Sequence, residues 1–238
     1  MEGLIAHRGA ELVGRQELVT LPTPEPTDTW RPVSHARIVE VLIESLALRG
    51  LTVVKDEYAV TPDGMKLFGV LALNIESSGV RFAIGCRNSH DRSFALALTV
   101  GYRVFVCDNL AFHGDFTPVT RKHTSKFDEV EVIDLAVTRM QRHFEPMRRQ
   151  IDAWHGFDLP DAMAKAVIYD AFVAGKLAVP RKLASRVHAF YFEPKFPEFE
   201  PRTMWSLSNA FTSAFGELDP VPRYRATAKL APFLARYN

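Results

Sequence analysis

Residues able to do chemistry crowd into one stretch of this chain, residues 86–124. It holds Cys86-Arg-Asn-Ser-His-Asp-Arg-Ser93, then Cys107-Asp-Asn109, then Phe112-His-Gly-Asp-Phe116 and Arg121-Lys-His-Thr124. Three chemistries use such residues. His90, Asp91, Asp108, His113, Asp115 and His123 carry atoms that bind a divalent metal, and a metal would activate water in a nuclease or other hydrolase. No pair shows a recognised ligand spacing such as His-x-x-x-His, so no cofactor is expected and a divalent metal is the alternative. A cysteine nucleophile needs a thiolate and a basic neighbour, which Arg87 offers to Cys86. Both cysteines end apolar runs, where a small buried hydrophobe is the commoner role.

The third chemistry is phosphate and base contact. Arg87, Arg92, Arg103, Arg121, Lys122 and Lys126 outnumber Asp91, Asp108 and Asp115, and aromatic residues interleave with them. Basic side chains track a nucleic-acid backbone while rings stack on unpaired bases. Phe94 and Phe105 alternate with apolar residues and read as core. Phe112 and Phe116 lie outside the strand patterns and read as candidates. The residues assigned to a nucleic-acid site are Arg87, Asn88, His90, Asp91, Arg92, Asn109, Phe112, His113, Arg121, Lys122 and His123. The competing structural role for Asn88, Ser89, Asp91 and Asn109 is in turns, bonding their own backbone.

The elements that must position these residues follow from periodicity and turn chemistry. Residues 1–33 read as an extended arm, because the prolines of Leu21-Pro-Thr-Pro-Glu-Pro-Thr27 push their predecessors out of the helical region. Residues 34–238 read as one α+β domain. Ser34 caps a helix whose apolar positions, Ile38, Val41, Leu42 and Leu46, recur at helical spacing until Gly50. Strands are expected at 53–60, 65–75, 80–87, 94–100 and 102–107. The turns are Thr61-Pro-Asp-Gly64, Glu76-Ser-Ser-Gly79 and Gly101. Short turns make successive strands antiparallel. The strand-rich part, 53–107, is thus an antiparallel meander of about five strands. Its third and fifth strands would run the same way and deliver both polar clusters to one sheet edge.

Residues 128–238 read as helical. Asp128 and Glu131 form a capping box. Val130, Ile133, Val137, Met140, Phe144, Met147 and Ile151 then make one apolar stripe, with a kink or break expected at Pro146. Further helices are expected at 160–174, 180–190, 203–215 and 223–237. Strands followed by helices argue α+β, with a preceding helix and several C-terminal helices packed on the sheet.

Composition narrows the functions. Lys and Arg total 29 against 28 Asp and Glu, so nucleic-acid or membrane affinity must come from a local patch rather than the whole chain. Two cysteines do not make a disulfide framework, and a reduced cytoplasmic location is expected. No apolar run approaches the roughly 18 residues of a membrane span, and no signal-peptide core is visible.

The run Arg87-Asn-Ser-His-Asp-Arg-Ser93, then Gly101-Tyr-Arg-Val-Phe-Val-Cys-Asp-Asn-Leu-Ala-Phe112, then Arg121-Lys-His-Thr124, resembles the phage/plasmid-like family called domain of unknown function 932. Thr203-Met-Trp-Ser-Leu-Ser-Asn-Ala-Phe-Thr212 is similar to that family's C-terminal segment. Gly9-Ala-Glu-Leu12 and the hairpin at 58–68 are similar to it as well. The resemblance implies carriage by mobile elements and transfers no catalytic residues. A strand meander followed by a helix is also similar, at fold level only, to single-strand annealing recombinases.

The expected function is therefore a phage/plasmid-type nucleic-acid-binding protein, acting on single-stranded DNA by binding or annealing, with a second copy of the chain as a further partner. One alternative is a protein-interaction module that inhibits a host factor through the arm and the apolar stripe. The other is a metal-dependent nuclease or hydrolase.

Overall fold

The computed structural model describes residues 10–107, 110–112, 119–218 and 220–237. Ser34 starts the first helix, α1 (His35–Ala47), and its hydroxyl accepts from the Arg37 amide. Ile38, Val41, Leu42 and Leu46 are buried along one face, as the spacing requires. Three strands follow: β2 (Val53–Val60), β3 (Lys66–Ser77) and β4 (Val80–Ser89). They are joined where the turn residues stand. Gly64 and Gly79 both take positive φ, the conformation glycine enters without Cβ strain.

The turn read at Gly101 does not form. β5 (Leu96–Val104) passes straight through it, and Gly101 is not among the positive-φ glycines. Leu96, Leu98, Val100, Tyr102 and Val104 keep the two-residue period across it, and all five are buried. A strand covered by neighbours on both faces gains nothing by turning back. The expected strands 94–100 and 102–107 are thus one.

The segment read as an arm adds a strand. β1 (Glu11–Val13) pairs antiparallel with β2, Leu12 opposite Ala59, and Leu18 and Val33 are buried. Two short strands follow β5: β6 (Leu110–Phe112) and β7 (Val119–Arg121). The seven strands run β1-β2-β3-β4-β5-β6, with β7 also paired to β5. The class is α+β, a sheet with helices before and after it.

The chain divides into two compact units. The first takes the described residues of Met1–Glu76, Arg81–Tyr102 and Phe116–Phe144. In it α1 meets the first half of α2 (Glu129–Gly156) through Ser45, whose hydroxyl donates to Asp134 at 3.1 Å, and just past α1 Arg49 pairs with Asp134 at 2.8 Å and donates to Thr138 Oγ1 at 2.8 Å. Asp128 caps α2 by accepting from the Val130 and Glu131 amides. Ile133, Val137, Met140 and Phe144 are buried, and Val130, the expected first member of the stripe, is exposed.

The second unit is mostly helical. It holds the rest of α2, then α3 (Asp161–Phe172), α4 (Ala184–Phe192), α5 (Met204–Phe215) and α6 (Pro220–Leu234). α2 runs through Pro146 as a single helix rather than breaking there. Thr203 caps α5 by accepting from the Ser206 amide, and every α5 residue except Ser213 is buried. A helix covered on all sides is the centre of its bundle. Phe211 marks that centre, with ring centroids 5.7 Å from Phe172 and 6.3 Å from Phe233. Among the described residues no helix is long and apolar enough to cross a membrane.

Candidate functional site

Val33 is the residue on which the site is built. It closes the strap that runs from Thr27 to α1, and it is buried. Its carbonyl accepts from Asn88 Nδ2 at 3.1 Å and from His90 Nε2 at 2.9 Å. Its amide donates to His123 Nδ1 at 3.1 Å. Asn88 Nδ2 also lies 3.0 Å from His35 Nδ1, and His35 Nε2 lies 3.0 Å from the Gly64 carbonyl. Three side chains, from the end of β4, the loop after it and the loop after β7, thereby hold one backbone residue, and His35 of α1 braces Asn88.

These partners settle where the imidazole protons lie. A carbonyl can only accept, so His35 and His90 carry the proton on Nε2. An amide can only donate, so His123 has a bare Nδ1 and carries its proton on Nε2. His35 and His123 are neutral near pH 7, and His90 is shifted in the same direction. Burial is the main cause: it pushes His35 down to about 3 and His123 down to about 4, and it lowers His90. A charge on His90 would further oppose one on His35, whose ring is stacked on it 3.9 Å away.

Asp91 serves its own loop. Its carboxylate accepts from Ser89 Oγ and the Ser93 amide, each at 2.9 Å, and pairs with Lys66 at 2.9 Å. Burial would raise this carboxyl, but Lys66, Ser93 and Ser89 together hold it well below the usual carboxylate range. Arg92 follows at φ 61°, the left-handed region that side chains other than glycine seldom enter. Its guanidinium lies 4.4 Å from the Trp30 ring centre and reaches Thr27 Oγ1 at 3.4 Å. Arg87 lies over Phe94, 5.2 Å from its centre.

The sequence reading and the structure part company over which clusters meet. In the antiparallel sheet β4 and β5 are neighbours, so they end at opposite edges. Without a turn at Gly101, strand direction no longer carries Cys107 to the edge of residues 86–93. Asp108, Asn109 and His113 lie outside the described residues, as does the side chain of Phe112. Arg121, Lys122 and His123 do reach the edge of residues 88–93, by another route. β7 runs antiparallel to β5 with Arg121 opposite Leu96, at the start of that strand. Trp30 bridges to Thr124, and the Arg31 amide donates to the His123 carbonyl at 3.3 Å.

What gathers here is a neutral polar core beneath a basic rim. Asn88, His90 and His123 are buried and cannot touch a macromolecule. Arg31, Arg92, Arg121, Lys122 and Lys126 are exposed, Trp30 is half-buried, and Arg92 lies over the Trp30 ring. Among the described residues no group of three His, Cys, Asp or Glu side chains is arranged to hold a metal ion. Cys86 is buried, which pushes its thiol up to about 12, far from a thiolate. His35 and Trp30 were not legible as site residues. The one signal for His35 is its place directly after the Ser34 cap, at the start of α1.

The family model described as Domain of unknown function (DUF932) matches residues 27–230. The chain belongs to that family. No curated protein and no solved structure matches it. The DUF932 span opens at Thr27, the residue whose hydroxyl meets Arg92, and it takes in the whole strap, the histidines and the basic rim.

Proposed function

We propose that this chain is a phage/plasmid-type protein that binds single-stranded DNA, with Trp30, Arg92, Arg121 and Lys122 as the contact face. The observation that carries the reading is the Arg92–Trp30 stack, with Lys122 exposed two residues before the Thr124 that bridges to Trp30. Planar guanidinium and indole groups stack on unpaired bases, and neighbouring lysine and arginine side chains meet phosphates. Duplex DNA hides its base faces, so a stacking platform favours single strands. The loop geometry supports this division of labour: Asp91, the acid in the cluster, is occupied by Lys66 and its own loop. Two cysteines without a disulfide fit a reduced cytoplasm.

The stripe on α2 supports no interaction module, because Ile133, Val137, Met140, Phe144, Met147 and Ile151 are buried. The hydrolase reading finds no ligand group among the described residues. The test is fluorescence anisotropy of labelled single-stranded and duplex oligonucleotides with micromolar protein across a salt series. Binding to single strands that weakens steeply with salt is expected. No change in anisotropy at low salt would sink the proposal.

A further inference from the structure

Both partners in the Arg92–Trp30 contact are fixed at the backbone. Trp30 exchanges hydrogen bonds with Thr27, at 2.8 and 3.2 Å, and bridges to Thr124. The residues on either side of Arg92 are tied by Asp91, which accepts from the Ser93 amide and pairs with Lys66. Arg92 itself sits at φ 61°, a conformation that costs free energy in a residue with a Cβ. Such strain persists only where the surroundings impose it, and it gathers at functional sites. Here it aims one guanidinium at one ring.

The spacing of the contact decides what a base can touch. The guanidinium carbon lies over the Trp30 ring, 4.4 Å from its centre. Atoms in contact sit about 3.5–4 Å apart, so a base between the two groups would need a gap of about 7 Å. The ring face under Arg92 is therefore closed. Arg92 is exposed, whereas Trp30 is half-buried. Among the described residues the Arg92 side chain makes one hydrogen bond, to Thr27 Oγ1 at 3.4 Å, so its remaining N–H groups are open to a phosphate. A planar cation already backed by an indole offers its outer face to a second π-system. Purines have the larger π-face, and stacking strength sets base preference where no base edge is read.

We propose, resting on the single-strand reading above, that an unpaired purine stacks on the outer face of Arg92, with Trp30 as the plate behind it and not the base's own partner. Trp30 is then a positioning residue that acts through Arg92.

The experiment uses the full chain and short single strands that are abasic except for one adenine or one thymine, so that only that base can stack. Anisotropy reads affinity. Tryptophan emission reads Trp30, because the other two tryptophans, Trp154 and Trp205, are buried. The adenine strand should bind several-fold tighter, with little quenching of the indole. Arg92→Lys keeps the charge and loses the planar face, so it should bring the two strands to equal affinity with the salt dependence unchanged. Trp30→Leu should also lose the preference, and Trp30→Phe, which restores a ring behind Arg92, should regain most of it. Strong quenching by the adenine strand would put the base on Trp30 and overturn the proposal. So would equal affinity of the wild type for both strands, or an Arg92→Lys protein that still prefers adenine. These three results leave single-strand binding itself intact. Absence of binding to either strand and to an unmodified oligonucleotide sinks the reading and the proposal together.

Discussion

The imidazoles of His35 and His90 lie 3.9 Å apart and within 2° of parallel. Two neutral rings stack well at that spacing, and two charged ones do not. The folded values for His35 and His123 are about 3 and about 4, below the ordinary 6.5. The unfolded chain therefore takes up protons first as the pH falls. Stability is full above about pH 6.5 and is lost progressively toward pH 4 and below, by about 1.4 kcal/mol per pH unit for each such histidine. Urea midpoints measured from about pH 7.5 down to 4.5 should fall accordingly. His90→Gln, which keeps a donor for Val33 O but does not titrate, should flatten the slope. An unchanged midpoint across that range in the wild type would contradict the neutral cluster.

Arg92 separates binding from stability. It holds φ 61° at a conformational cost and places its guanidinium on Trp30. Arg92→Gly should leave the melting temperature unchanged or raise it, because relief of about 1 kcal/mol offsets the lost stack. Oligonucleotide affinity should fall by roughly tenfold, the loss of about 1–3 kcal/mol that one stacking group supplies. A variant that unfolds but still binds in its folded fraction would argue that Arg92 is structural.

Arg121→Ala with Lys122→Ala removes two exposed cations beside the strap. Affinity should drop for every sequence alike, and the slope of log affinity against log salt should shrink by about 1–2. Both side chains are on the surface, so thermal stability should stay within about 0.5 kcal/mol of wild type. An unaltered salt slope would move the phosphate contacts elsewhere.

Gly69 stands opposite Tyr58 on the neighbouring strand. A Cβ at that position would meet Tyr58 Cδ1 at 2.9 Å, closer than side chains pack. Gly69→Ala should destabilise by about 1–3 kcal/mol. Tyr58→Leu removes the ring, so the double variant should cost less than the sum of the two single changes. Additive losses in chemical denaturation would mean that the ring and the glycine are independent.

Asp91 gives a second, separable acid dependence. Its carboxyl is held below the usual range, so its contribution is complete above about pH 4 and vanishes as the pH falls through the folded value. Asp91→Asn should cost about 1 kcal/mol at neutral pH, a modest figure because the Lys66 pair is partly exposed. The difference between variant and wild type should narrow below pH 4.

Local structure was legible wherever neighbouring residues encode it. Ser34 and the spacing of Ile38, Val41, Leu42 and Leu46 are enough to place α1. Thr61-Pro-Asp-Gly64 and Glu76-Ser-Ser-Gly79 are enough to place two hairpins, because glycine answers a dihedral requirement inside the turn itself. Gly101 misled for the same reason: glycine permits a turn without requiring one. The decision belonged to the neighbours of β5, which bury the strand on both faces. β1 and β7 were invisible, since three-residue strands acquire their pairing from partners far along the chain.

Of the site, the amino-acid sequence by itself determined that a basic, histidine-bearing cluster exists, where it lies in the chain and which α+β elements flank it. Tertiary structure alone decided which members meet solvent. His90, Asn88 and His123 carry the same atoms as any surface ligand, yet their bonds to Val33 draw them inward, where burial lowers both histidines. Arg92 and Lys122 remain outside, and Trp30 joins them through pairing with Thr124. Burial, which sets charge state and access, depends on contacts between distant segments, and residue type reports only what those contacts have to work with.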